Sequence, residues 1–478
     1  MNIEAVIGIE IHVELKTKSK MFSAAPNAFS KTPNTNVAPL DMAFPGTMPV
    51  VNRQAVVHGI RVAYALHMEI ARTLNFDRKN YFYADLPKGF QITQRFHPLG
   101  KEGYVTIFDL QNQPKKIAIE RLHLEEDTCK QLHFRDYSLL DYNRAGVPLL
   151  EIVSYPDIHN GVEAVRYIEA IRNIVVYSLA SDGKMEEGSL RCDVNVSIRP
   201  QGASFFGPKV ELKNLNSLKN IQTAIDYEIA RQSQCLASGM AIVQDTRRYD
   251  EAKGKTVSMR LKTEAIDYKY FPEPNILPIV LSEAMIEEAI ATCPELYEAK
   301  KERYERMGLT PSQASVLLSD PAMASYFEAA SEGSENPKTV ANLLIVEVNA
   351  YLNKTGNGAN ISRFPLPPVS LKRIAAYRED GYTHQQCVEI LEYCLREKAR
   401  PEDALVALGI TKADNDEEAI AAVVETVLAA NPQSVSDFQA GKDRALSFLV
   451  GQAVKAAKGT LNPSVLAKAL RERLNQEK

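Results

Sequence analysis

The sequence contains no run approaching the roughly 18 apolar residues that a membrane span requires, although 45% of its 478 residues are hydrophobic. A helical membrane protein is excluded. It also has no basic leader: Met1-Asn2-Ile3-Glu4-Ala5-Val6 runs straight into alternating residues, so a folded cytoplasmic chain is expected and not an exported one. Cysteine is sparse. The six cysteines (Cys129, Cys192, Cys235, Cys293, Cys387 and Cys394) are scattered, with no C-x-x-C pair, and read as reduced, mostly buried thiols. The common nucleotide signatures are missing too. There is no G-x-G-x-x-G, and Gly254-Lys255-Thr256 ends like a phosphate loop whose first glycine position is Tyr249, so a charged turn is predicted there.

What is present divides along the chain. At about 150 residues per domain, roughly three domains are expected. Residues up to about 290 are rich in β-branched residues, period-2 alternation and Pro/Gly/Asn turns such as Phe44-Pro45-Gly46, which predicts a sheet-containing domain. After Pro278 the periods become helical, broken at Pro294, Pro311, Pro321 and Pro337, and a polar stretch from Ala407 to Asp416 separates a last helical block of about four helices. The expected fold class is therefore α+β, with a sheet domain at 1–292 and two all-α domains at 293–407 and 408–478. Charge is uneven: the net is −4, yet from Lys442 onward there are eight Lys and Arg against three Asp and Glu, a +5 tail on a −9 body. A basic tail suits nucleic acid, and a solvated helix face rich in Lys and Arg is the bland alternative.

Four strand candidates carry polar residues on alternate positions. In Ile9-Glu10-Ile11-His12-Val13-Glu14-Leu15, the two glutamates and His12 share one face, and residues two apart on a strand lie about 6.5–7 Å from each other. Arg121, His123, Glu125 and Asp127 repeat the design, as do Arg191, Asp193, Asn195 and Ser197, and the Lys209-Val210-Glu211-Leu212-Lys213 segment. If these strands share a sheet, one of its faces is crowded with carboxylates, imidazoles and cations. Hard oxygen ligands of that kind suit Mg²⁺ with a nucleotide's phosphates, while the histidines leave zinc and manganese open. Metal-assisted phosphoryl transfer fits this pattern best.

Several long segments, in this order, resemble the B subunit of the glutamyl/aspartyl-tRNA amidotransferase, the GatB family of the GatCAB complex. They are Gly8-Ile9-Glu10-Ile11-His12-Val13-Glu14-Leu15, Leu86-Pro87-Lys88-Gly89-Phe90-Gln91, His123-Leu124-Glu125-Glu126-Asp127, Asp141-Tyr142-Asn143-Arg144-Ala145-Gly146, Gly188-Ser189-Leu190-Arg191-Cys192-Asp193-Val194-Asn195 and Glu211-Leu212-Lys213-Asn214-Leu215-Asn216-Ser217. The resemblance implies a largely antiparallel cradle domain that binds Mg²⁺ and ATP, followed by a helical domain and a tRNA-binding tail. It implies an enzyme, a carbon–nitrogen ligase with glutamine as amido donor. Such an enzyme phosphorylates the side-chain carboxylate of Glu-tRNA(Gln) or Asp-tRNA(Asn) and lets ammonia displace the phosphate. Carried over, the acids and imidazole of the metal and phosphate site are Glu10, His12, Glu125, Glu151, Asp193 and Glu211, with Lys88, Arg191 and Lys213 as cations and Glu10, His12 and Glu125 as metal ligands. Lys455 and Lys458 are the tail cations expected near tRNA.

No glutaminase constellation is visible, neither a serine–lysine pattern nor a cysteine with an evident histidine. The resemblance assigns that task to an amidase-like GatA partner, with the small GatC partner completing a heterotrimer. Some relatives hold zinc with cysteines in the segment matching 22–46, but here the positions are Ser23, Ala25, Ala38 and Asp41, so no structural zinc is expected and packing must hold the loop. Two other readings stay open: a free-standing ATP-dependent amide ligase, and a non-catalytic tRNA-binding module.

Overall fold

A computed structural model describes residues 2–261, 267–356, 358, 360–411, 417–439, 444–457, 461 and 463–476. The chain divides into two compact units, Met1–Tyr297 and Glu298–Lys478.

Nine strands make the main sheet of the first unit. In chain order they are Ile3–Glu14 (β1), Glu69–Ile70 (β2), Gly100–Phe108 (β3), Pro114–Glu126 (β4), Pro148–Ser154 (β5), Leu190–Pro200 (β6), Val210–Lys213 (β7), Asp245–Asp250 (β8) and Lys255–Leu261 (β9). Their spatial order is β9-β8-β7-β6-β1-β5-β4-β3-β2. Every pairing is antiparallel except β7 with β8. All four polar-faced segments of the sequence thus enter one sheet, and the first of them lies at its centre.

Alternation sorts each strand's side chains between two environments. Ile7, Ile9, Ile11 and Val13 of β1, Leu122 and Leu124 of β4, Leu150 and Ile152 of β5, and Val194 and Val196 of β6 enter one apolar core. That core is completed by helices Arg53–Ala65 (α1), Gly161–Tyr177 (α2) and Leu218–Ala237 (α3), which pack on the same face of the sheet. Burying each of these aliphatic side chains contributes about 1.5–3 kcal/mol before the entropy of ordering is counted. The helices begin where the sequence supplies caps. Asn52 accepts hydrogen bonds from the Gln54 and Ala55 amides, Asn160 from Glu163 and Ser217 from Asn220.

Strand β4 alternates in two phases. Opposite β5, Val153 pairs with Arg121 but Ser154 pairs with Ile119, which leaves Glu120 as a bulge residue. The extra residue flips the parity, so that Ile117 and Ile119 point to the same core as Leu122 and Leu124. Arg121, His123 and Glu125 are thereby turned to the other face.

The loop between β1 and α1 is held by more than packing. Lys20 is fully buried, its Nζ 3.1 Å from Asp41 Oδ2 and 3.2 Å from the Tyr142 carbonyl oxygen. Asp41 also accepts from Ser23 Oγ and the Ala38 amide. Gly146, at φ +81°, is needed there, because a Cβ would lie 2.8 Å from Asp41 Oδ1. A smaller sheet of Asp77–Asn80, Phe90–Thr93 and Phe271–Pro272 crosses near the end of β4.

The second unit contains only helices among the described residues. The prolines that break the sequence periodicity at 311, 321 and 337 open helices Pro311–Leu317, Pro321–Ser331 and Pro337–Leu343, where the missing N–H costs nothing. Toward the end, Glu417–Ala430, Pro432–Gln439, Arg444–Ala456 and Pro463–Gln476 gather an apolar cluster of their own, with Ile420, Val424, Leu449, Ala453, Leu466 and Leu470 at its centre. No helix among the described residues is long and apolar enough to cross a membrane.

Candidate functional site

The sheet face opposite α1–α3 is built from rows that run across the strands. One row, from β6 to β4, reads Arg191, His12, Glu151, His123. The next reads Asp193, Glu10, Val153, Arg121. Facing residues on antiparallel strands bring their Cβ atoms to about 4.5–5.5 Å, so these side chains meet although they are far apart in sequence.

Two imidazoles and two carboxylates form the centre. His12 Nε2 lies 3.3 Å from Glu151 Oε2 and 3.8 Å from Glu125 Oε1. His123 Nε2 lies 3.2 Å from Glu151 Oε2 and 3.5 Å from Glu125 Oε2. Burial favours neutral rings, but the neighbouring carboxylates outweigh it and raise both histidines to about 9. Burial also pushes Glu151 toward protonation, and the two imidazoles overcome it and hold this carboxyl well below the usual range. Glu151 thus lies between two imidazolium rings, and an ion bound at His12 would displace that ring's proton.

Around this centre further charges are arranged in four groups. Arg191 donates to Asp127 at 2.7 Å, with Arg144 at 3.5 Å from the same carboxylate. Beside them burial and the nearby Asp127 raise Glu14 to about 7. Lys213 donates to Asp193 at 2.5 Å and lies 3.3 Å from Glu211, which accepts from Thr246. Glu10 accepts from Asn195 at 3.2 Å, and burial followed by the charge of Glu151 raises its pKa. Burial alone would lower Lys79, which comes from the smaller sheet, but Glu125, the neighbouring tyrosines and Glu151 outweigh that burial and raise it.

These groups line two cavities. The first, about 350 Å³, is bounded by His12, Lys79, Glu125, Arg191, Asp193 and Lys213. The second, about 470 Å³, has Glu10, Arg95, Arg121, Asn195, Phe206 and Lys209 on its walls. Glu10 therefore faces the second cavity, while its strand neighbour His12 faces the first.

Of the residues singled out from sequence, His12, Glu125 and Glu151 offer ligand atoms that all lie within 4.8 Å of one another. One imidazole nitrogen and two carboxylates on this face suit a divalent ion that fills its other positions with water or phosphate oxygen. Asp193, Glu211, Arg191 and Lys213 flank that set. Glu10, expected as a ligand with His12 and Glu125, sits one row away from His12, and the acid that completes the three-residue cluster is Glu151. Lys88 lies elsewhere, buried in an ion pair with Glu126, whose carboxylate also accepts from the Ile92 amide. Lys455 is exposed on Arg444–Ala456, and Lys458 lies outside the described residues. The sequence pattern does not single out Lys79, Thr93 or Arg95, whereas it places Lys209 on the polar face with Glu211 and Lys213. For Lys79 and Thr93 no local signal exists, because the smaller sheet delivers them. His123 carried a signal, its shared face with Glu125.

Comparison with known proteins agrees with this architecture. Residues 5–287 match the family described as "GatB/GatE catalytic domain", and residues 325–474 match "GatB domain". The B subunit of the aspartyl/glutamyl-tRNA(Asn/Gln) amidotransferase of Geobacillus thermodenitrificans is 46% identical over 479 residues, covering 100% of both chains. The protein of that name from Carboxydothermus hydrogenoformans is 45% identical over 98% of each chain, and that from Bacillus thuringiensis is 44% identical over 100% of each. With its open charged sheet face and most of its helical second unit inside the matched segments, this chain belongs to the GatB family of tRNA-dependent amidotransferases.

Proposed function

We propose that the open sheet face phosphorylates the side-chain carboxylate of Glu or Asp carried on tRNA and then exchanges the phosphate for ammonia. The observation that carries this reading is that His12 and Glu125, clustered with Glu151, line one cavity together with Lys79, Arg191 and Lys213, next to a second, cationic one. A carboxylate is a poor electrophile because oxide is a poor leaving group. When a carboxylate oxygen takes the γ-phosphoryl group of ATP, ADP departs, and ammonia then adds at the carbonyl carbon and expels phosphate. His12, Glu125 and Glu151 would hold Mg²⁺, which when bound supplies charge stabilisation to phosphate oxygens. Lys79, Arg191 and Lys213 offset phosphate charge from the protein side. Arg95, Arg121 and Lys209, with the Phe206 ring, give the second cavity the chemistry to take a nucleotide.

Ammonia is proposed to come from an amidase-like GatA partner held by a small GatC partner, making a heterotrimer. The tail from residue 408 onward is proposed to contact the outside of tRNA(Gln) or tRNA(Asn) through its excess of Lys and Arg. The reaction is proposed to take place in the cytoplasm, beside the other steps that prepare aminoacyl-tRNA.

The test uses the assembled complex with Mg²⁺, ATP, ammonium and Glu-tRNA(Gln). Product amide and ADP should form together only when mischarged tRNA is present, and His12→Ala should abolish both while leaving tRNA binding intact. Amidation of free glutamate without tRNA would favour a free-standing ligase. Full amidation by His12→Ala would favour a non-catalytic tRNA-binding module.

A further inference from the structure

The carboxylate of Glu125 is gripped from behind. Thr93 Oγ1 donates to Glu125 Oε2 at 3.2 Å, and His123 Nε2 lies 3.5 Å from the same oxygen. The other oxygen, Oε1, is the one that faces His12. Thr93 and Glu125 are each only 3% exposed, so bulk water does not compete for this contact. Thr93 is itself locked in place. Its strand, Phe90–Thr93, lies against the end of β4, where Gln91 Nε2 donates to the Glu126 carbonyl at 2.7 Å and the Ile92 amide donates to Glu126 Oε1 at 3.0 Å. One residue on, the Leu124 amide donates to Gln94 Oε1 at 3.0 Å. A β-branched side chain on a strand fixed in this way has little rotamer freedom, so its hydroxyl has one place to be.

We infer that Thr93, supported by His123, is a positioning residue that holds Glu125 with Oε1 turned into the cavity, so that the His12, Glu125 and Glu151 donors are set before a divalent ion arrives. This rests on the proposed cation site. Groups that hydrogen-bond metal ligands orient those ligands, and losing one weakens metal binding by about 10–100-fold. A free carboxylate could rotate its two oxygens between partners. The Thr93 hydroxyl removes that freedom without entering the coordination sphere.

Mn²⁺ binding to the full-length chain, followed by loss of the free-ion electron paramagnetic resonance signal, reads this out without any turnover. Thr93→Ser keeps the hydroxyl and should bind Mn²⁺ within about 3-fold of the unsubstituted chain. Thr93→Val keeps the shape, removes the donor and should bind about 10–100-fold more weakly. In the assembled enzyme the same Thr93→Val change should raise the Mg²⁺ concentration for half-maximal activity, with the maximal rate largely recovered at saturating Mg²⁺. Equal binding by Thr93→Val and the unsubstituted chain would overturn the inference, as would equal weakening by Ser and Val, which would make Thr93 a packing residue. If the unsubstituted chain binds no Mn²⁺, it is the proposed cation site that fails. Should Thr93→Val not fold, His123→Gln against His123→Leu poses the same question, with Gln expected to retain more affinity.

Discussion

The two faces of the nine-stranded sheet are made by the same strands and do opposite work. On β1 alone, Ile9, Ile11 and Val13 enter the apolar core under α1–α3, while Glu10 and His12 between them enter two cavities. Period-2 geometry therefore separates stability from chemistry at single-residue resolution. The core face can be close-packed and rigid, and that rigidity fixes where the ionisable groups on the other side sit. A face built from ion-paired side chains adds little net stability of its own, and here it is carried by its own reverse.

If that division is right, substitutions on the two faces should fail in different ways. The largest effect is expected from Glu151→Gln, which keeps the side-chain volume but removes the charge between His12 and His123. Amidation should fall by about 10²–10³-fold, the scale for losing one preorganised electrostatic group, with any loss of thermal midpoint confined to the pH range below about 9 in which the two imidazoles carry charge. A variant as active as the parent would break the comparison from the chemical side.

Next comes Ile11→Ala on the opposite face, where Ile11 is 0% exposed. Removing a buried aliphatic side chain costs about 2–5 kcal/mol, to be read from urea unfolding, while the rate per folded molecule should stay close to the parent's. Loss of rate without loss of stability would show that the two faces are not separable in this way.

A smaller effect is expected in the pH dependence of stability with divalent ions chelated. His12 and His123 are raised from 6.5 to about 9, so in the unfolded chain they lose their protons near 6.5 and in the folded chain near 9. Their contribution is then complete below about 6.5 and is lost as the pH rises through 9. Glu14, raised from 4.5 to about 7, has the same sign over a lower window. The lowered Glu151 has the opposite sign, and its contribution fades as the pH falls below the ordinary carboxylate value of 4.5. Denaturation midpoints should therefore decline between pH 6.5 and 9, and Glu151→Gln should flatten that decline. An unchanged slope in the variant would contradict the coupling of the quartet.

The smallest effect lies in the second unit. Lys455→Ala, at an exposed position, should make the slope of log affinity for tRNA against log salt shallower by about 1 and leave the maximal rate of amidation alone.

How much of this could be read from the chain depends on how far each feature is from local geometry. The alternation in Glu10-Ile11-His12-Val13-Glu14 shows directly which residues share a face, and the prolines at 311, 321 and 337 mark helix starts without any tertiary information. Which acid stands beside which imidazole is set by strand register, and no single strand contains it. Glu10 and Glu151 look equally suited to join His12 until the pairing of His12 with Glu151 is known. The bulge at Glu120 hides the true phase of β4, because the core residues there switch from odd to even positions. Helices α1–α3 lie within a region dominated by strand signals. Lys88 sits among charged and glycine-rich neighbours that suggest a site, yet its ammonium is taken by Glu126 through a contact 38 residues away. Lys79 and Thr93 come from a separate small sheet, and only the folded chain brings them to Glu125.

The measurement that bears most directly on the central claim is a crystal of this chain with Mn²⁺ and a non-hydrolysable ATP analogue, with the metal located by its anomalous scattering. The expected result is a peak bounded by His12, Glu125 and Glu151, with the terminal phosphate of the analogue within reach of Lys79, Arg191 or Lys213. A peak bound elsewhere, or a nucleotide lying away from the open sheet face, would contradict it.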